Sequence, residues 1–226
     1  MEDHVSVSMR SAEGSARDIM QEVSACGARG IQLDAMHSDF VDLSSSGRRD
    51  LVATLRRSSL RASGIDFLIP PTTWVDEPDQ TLQAFEDAVA IAEVVGNVPI
   101  GACLSDDQEI TTSALAVGHR CGVLVSTHGV TPPHDPQIGW HLPVSLLAKQ
   151  DRPMKTLAEA PLGPMAIRLK GDVVCDTTLD IDGNQVQLLE LRGVMDAMRW
   201  SPSPIVDAIG DQANKLIHAW QVAGPW

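Results

Sequence analysis

From residue 4 to residue 127 two hydrophobic rhythms alternate along the chain. Short apolar runs of strand length are followed by segments in which apolar residues return every three or four positions, the period of a helix with one buried face. Residues 4–9 form a first strand candidate, and Ala16, Ile19, Met20 and Val23 mark a helix over 15–26, closed by Gly27 and Gly30. G-I-Q-L-D-A (30–35) is the second strand. Ser44, Ser45 and Ser46 are N-cap residues for a helix with Leu51, Val52 and Leu55 on one side. A third strand, I-D-F-L-I-P-P (65–71), is stopped by proline. Glu77-Pro78 opens a helix that carries Leu82, Phe85, Ala88, Val89 and Ala92 and ends at Gly96-Asn97. V-P-I-G-A-C-L (98–104), a short helix over 111–119 and G-V-L-V-S-T (122–127) complete the regular part.

This order predicts βα units and a parallel sheet. Beyond residue 130 the rhythm loosens. Q-I-G-W-H-L (137–142) and M-A-I-R-L (165–169) read as strands, and Asp182-Gly183-Asn184 as a turn within an extended stretch over 180–191. Ile209, Ala213, Leu216, Ile217 and Trp220 have helical spacing, yet K-L-I-H-A-W-Q-V (215–222) also reads as a strand. Counted as a strand, that segment brings the total to eight, the number that closes a (β/α)8 barrel. No linker, low-complexity tract or charge block interrupts residues 1–226, which read as a single domain.

Composition then removes several function classes. Thirty acidic residues against seventeen basic ones give a net charge of -13, which repels a phosphate backbone and argues against nucleic acid as a partner. Arg48-Arg49 and Arg56-Arg57 read as a solvated helix face. No apolar run has the length of a membrane span, and the N-terminus lacks the basic and apolar regions of a secretory signal, so a cytoplasmic protein is expected. Cys26, Cys103, Cys121 and Cys175 show no C-x-x-C spacing and read as reduced, mostly buried thiols. The nucleophile-elbow, P-loop and dinucleotide-binding glycine motifs are absent.

G-A-R-G-I-Q-L-D-A (27–35) followed by D-L-S-S-S-G-R-R-D-L-V-A-T-L-R (42–56) resembles the xylose isomerase-like barrels of the sugar phosphate isomerase/epimerase group, and the resemblance continues through E-P-D-Q-T-L-Q-A-F-E-D-A-V-A-I-A (77–92). It implies a compact (β/α)8 TIM barrel with shortened loops. The proline-rich stretch around His134 and Asp135 replaces or reduces the helix between strands 5 and 6. It also implies a divalent metal held by a glutamate, an aspartate, a histidine and a glutamate after strands 5, 6, 7 and 8, polarising a sugar oxygen while carboxylates move the proton. At the matched positions this chain has Thr127, G-W-H-L-P-V (139–144) without an aspartate, Leu169 in I-R-L-K-G-D (167–172), where only Asp172 is kept, and Gln221.

The expectation is a barrel that has lost metal-dependent catalysis and acts as a binding or partner protein, with no cofactor. A small carbohydrate would meet Asp34, Thr127, Lys170 and Gln221, and Trp140, Trp200 or Trp226 would support a homo-oligomer or a partner protein. Arg168 reads as a rim salt bridge, and Asp106-Asp107 as a helix N-terminus. The alternative is an active sugar or sugar-phosphate isomerase/epimerase, using a metal-free base or one divalent ion (Zn, Mn or Mg) on His128, His134 and His141 beside Asp135. Against it, the strand pleat turns His128, one residue from the matched position, out of the barrel unless the strand has already ended.

Overall fold

The computed structural model describes residues 5–104 and 107–224. In chain order its elements are β1 (Ser6–Ser8), a 3-10 turn (Met9–Ser11), α1 (Ala16–Ala25), β2 (Gly30–Asp34), α2 (Ser45–Arg57), β3 (Arg61–Phe67), α3 (Pro71–Asp76), α4 (Pro78–Val94), β4 (Ile100–Ala102), α5 (Gln108–Arg120), β5 (Val125–His128) and β6 (Gly139–Pro143). The second half holds α6 (Val144–Leu147), α7 (Pro153–Ala158), β7 (Ala166–Leu169), β8 (Asp172–Cys175), β9 (Thr178–Ile181), β10 (Asn184–Gln187), α8 (Leu188–Met198), β11 (Ser203–Val206) and α9 (Gly210–Val222).

Eight strands close a parallel barrel in the order β1-β11-β7-β6-β5-β4-β3-β2. Local signals set the helix starts. Ser15 and Ser44 accept the Asp18 and Gly47 amides at the N-termini of α1 and α2, and Asp107 accepts those of Glu109 and Ile110 at α5. Asp106 and His4 lie outside the described residues. The chain from 129 to 138 has no helix, so β5 passes to β6 through a loop as the resemblance implied.

The eighth barrel strand is not where the sequence placed it. Residues 215–222 belong to α9, which buries Ala213, Leu216, Ala219 and Trp220 against the barrel while Arg192 stacks over Trp220 at 4.4 Å. The strand is β11, whose Pro204 has no amide hydrogen to give to the ladder. The turn at Asp182-Gly183 is real, with φ of 53° and 82°, but it joins β9 to β10 in a separate antiparallel sheet, β10-β9-β8. The extended stretch ends at Gln187, and α8 begins at Leu188.

The apolar core lies outside the barrel wall, between strands and helices. Val7, Leu33, Phe67, Ala102, Trp140, Leu142, Ile167, Leu169 and Val206 all face that layer, and Phe67, Trp74 and Phe85 form an aromatic cluster with centroids 5.3–5.6 Å apart. The alternate strand positions therefore point to the barrel axis. They carry Ser8, Gln32, Asp66, Ser126, His141 and Arg168, all buried. A barrel of this kind is usually packed with branched aliphatic residues; this one has a polar axis.

Candidate functional site at the barrel axis

The centre of the interior is an ion pair across the barrel. β7 and β3 stand opposite each other in the closed ring. From β7, Arg168 donates through Nη1 to both carboxylate oxygens of Asp66 on β3, at 2.7 and 2.8 Å, with the two side chains 4% and 0% exposed. Its Nε and Nη2 donate to Asp207, the residue after β11, and Nη2 also donates to Ser8 Oγ at 3.1 Å. Gln32 donates to Asp66 Oδ1 at 3.0 Å, and Gly64 leaves room for it, since a Cβ there would lie 2.6 Å from Gln32 Oε1. Burial opposes the charge on Arg168, but Asp66 and then Asp207 outweigh it and raise its pKa. One guanidinium thus holds two carboxylates.

Two imidazoles also lie at the axis, and the register sets His141 opposite Ala166, two residues before Arg168. His128 and His141 are register partners on β5 and β6 and face the axis together. His141 is 1% exposed and packs over Gly101, where a Cβ would lie 2.6 Å from its Nδ1. Burial first, then the Arg168 charge, lowers His128 to about 4; burial lowers His141 to about 3. Both rings are neutral at physiological pH, and the buried His128 Nε2 and His141 Nδ1 have no hydrogen-bond partner among the described residues. At the rim, Asp34 lies 3.8 Å from Arg10 and accepts the Met36 amide; burial raises its carboxyl, an effect that Arg10 opposes. Burial also raises the Cys103 thiol, but the cysteines are not the mostly buried set expected: Cys26, Cys103 and Cys121 are half-buried and Cys175 is exposed.

No family model matches the sequence, and no curated protein matches it. Solved structures do. A D-tagatose 3-epimerase-like protein superposes with a TM-score of 0.72 at 10% identity, covering 97% of this chain and 95% of that one. The fold is the xylose isomerase-like TIM barrel. A xylose isomerase domain protein from Planctomyces limnophilus (TM-score 0.66, 11% identity, 96% and 93% covered) and a probable 3-DHS dehydratase from Bacillus anthracis (0.65, 12%, 96% and 97%) superpose likewise. At these identities the likeness is one of fold.

Within this xylose isomerase-like barrel the site residues read from the sequence separate. Asp34 stands at the mouth. Thr127 pairs with Trp140 and faces the outer layer, while His128, one residue on, faces the axis; the pleat sets its direction opposite to the one expected. Leu169 is buried in the outer layer, and the axis residue of β7 is Arg168, which is a central rather than a rim ion pair. Gln221 is exposed on α9, away from any strand. Lys170 is exposed on the rim of a cleft of about 590 Å³ shared with Lys149, Asp172, Asp180 and Gln212. Asp207 was missed, because the strand before it was missed.

The histidine cluster comes apart as well. His128 and His141 are neighbours, but His134 and Asp135 are exposed in the 129–138 loop, where Asp135 accepts the Gln137 amide. Among the described residues no three His, Cys, Asp or Glu side chains converge as metal ligands. Trp140 is buried and donates to the Gly129 carbonyl, so it is not an interface residue; Trp200 is half-buried against Gly163, and Trp226 lies outside the described residues. Among the described residues no helix is long and apolar enough to cross a membrane.

Proposed function

We propose that this chain is a xylose isomerase-like barrel without metal-dependent sugar chemistry, acting as a binding or partner protein. One observation carries the reading: the Arg168 guanidinium occupies the barrel axis and engages Asp66 and Asp207, the carboxylates nearest to it. The donor set does not fit a divalent ion. A dication 4 Å from the guanidinium would meet a repulsion of roughly 8 kcal/mol at an effective dielectric of 20. It would also have to take its ligands from Arg168. Asp34 and His128, each partly exposed at the C-terminal ends of β2 and β5, leave a polar mouth for a small neutral ligand such as a carbohydrate.

The rival reading, an active isomerase or epimerase with a histidine base, draws on the imidazoles of His128 and His141. A base works best with a pKa near the operating pH, and burial takes His128 to about 4 and His141 to about 3. The binding reading therefore stands first. Incubation of the protein with aldoses, ketoses and their phosphates, with and without added Mg, Mn or Zn, is expected to give no isomer. Turnover abolished by His128→Gln would establish the rival.

A further inference from the structure

We infer that the N-terminal face of the barrel, opposite the His128 mouth, binds a compact anion carrying two or more phosphate groups. This goes beyond the reading above and uses none of its residues.

Two clefts adjoin there, of about 340 and 530 Å³, and Ser59 lines both. The first contains Arg17 of α1 and Arg57 at the end of α2; the second contains Arg29, the residue before β2, and Arg61, the first residue of β3. No aspartate or glutamate lines either cleft, in a chain where thirty acidic residues outnumber seventeen basic ones. Among the described residues none of these four arginines has a carboxylate within salt-bridge distance. Arg57 donates to Thr54 Oγ1 at 2.9 Å, a contact that orients the side chain without neutralising it. Reading Arg56-Arg57 as a solvated helix face therefore omits what Arg57 adjoins.

The chemistry of the lining selects the ligand. Guanidinium groups and serine hydroxyls are donors to phosphate oxygens, and several arginines in a row suit more than one anionic group. Ser59 sits just past the end of α2 with φ of 56°, a conformation that glycine usually fills, and it presents a hydroxyl where the two clefts meet. No aromatic side chain lines either cleft, so nothing there stacks a base, which favours a small polyphosphate over single-stranded nucleic acid.

Calorimetric titration at low ionic strength with tripolyphosphate, inorganic phosphate, citrate and a short DNA duplex tests the assignment. Tripolyphosphate should bind one to one, more tightly than inorganic phosphate, and weaken with added salt. The Arg29→Gln/Arg61→Gln protein should lose roughly tenfold or more in affinity, whereas Arg152→Gln, on the exposed start of α7, should bind as the parent does. Circular dichroism of the double variant controls for its fold, since both arginines are exposed. Absence of tripolyphosphate binding, or binding undiminished in the folded double variant, overturns the site. Citrate bound as tightly as tripolyphosphate overturns the phosphate assignment, and equal binding of the duplex overturns the compact ligand.

Discussion

Arg168 and Asp66 have left water completely, and each would be costly alone. Charges taken from water recover the loss only through close, well-bonded contact, so removing one partner of a buried pair typically costs about 3–5 kcal/mol, while replacing both with apolar residues is often neutral. Asp66→Ala should lower the unfolding free energy in urea by that amount, and Asp66→Leu/Arg168→Met should regain most of it. A single variant within about 1 kcal/mol of the parent would mean that Asp207 alone satisfies the guanidinium. The histidines make a separate prediction. An imidazole depressed from 6.5 to about 4 or about 3 in the folded state stays neutral while the unfolded chain takes up protons. Its contribution is therefore complete above pH 6.5 and is lost as pH falls toward the folded value, by about 1.4 kcal/mol per pH unit for each ring. Between pH 6.5 and 5 the His128→Gln protein should lose stability about half as steeply as the parent. Parallel slopes would place His128 in water.

At the scale of elements, the first five strands and α1, α2, α4 and α5 were legible because glycine, proline or serine caps punctuate the alternation and each of these helices keeps its period, whereas the short α3 was not read. β11 was hidden: Pro202 and Pro204 flank and enter a four-residue strand, and proline argues against a strand interior. The segment 215–222 then took its place, although the spacing of Ala213, Leu216 and Trp220 already read as a helix. That exchange put Gln221 in the site and left Asp207 out. Leu216→Ala should cost about 2–5 kcal/mol and Gln221→Ala less than about 0.5 kcal/mol, as judged by urea midpoints. Equal effects would contradict the packing of α9. The polar axis was also written in the sequence. Strands of a parallel sheet buried on both faces read as unbroken apolar runs, whereas S-V-S (6–8) and G-I-Q-L-D (30–34) alternate. Which polar side chains meet across the axis depends on register to a single residue, and the sequence alone did not settle Thr127 against His128 or Leu169 against Arg168.

For the whole molecule, closure of eight parallel strands brings β3 and β7 face to face, and with them the two ends of the ion pair. The same closure sets His128 and Asp34 at the C-terminal ends of their strands and leaves Arg17, Arg29, Arg57 and Arg61, without a carboxylate partner among the described residues, at the other end. On the proposed reading, Arg168 holds the axis in place of a metal. Elemental analysis of the protein, after incubation with excess Mg, Mn and Zn and removal of unbound ions, tests this most directly. The parent protein should carry no stoichiometric metal. One equivalent of bound metal that is lost in Asp207→Asn or His141→Gln would contradict that reading and make the barrel axis a metal centre.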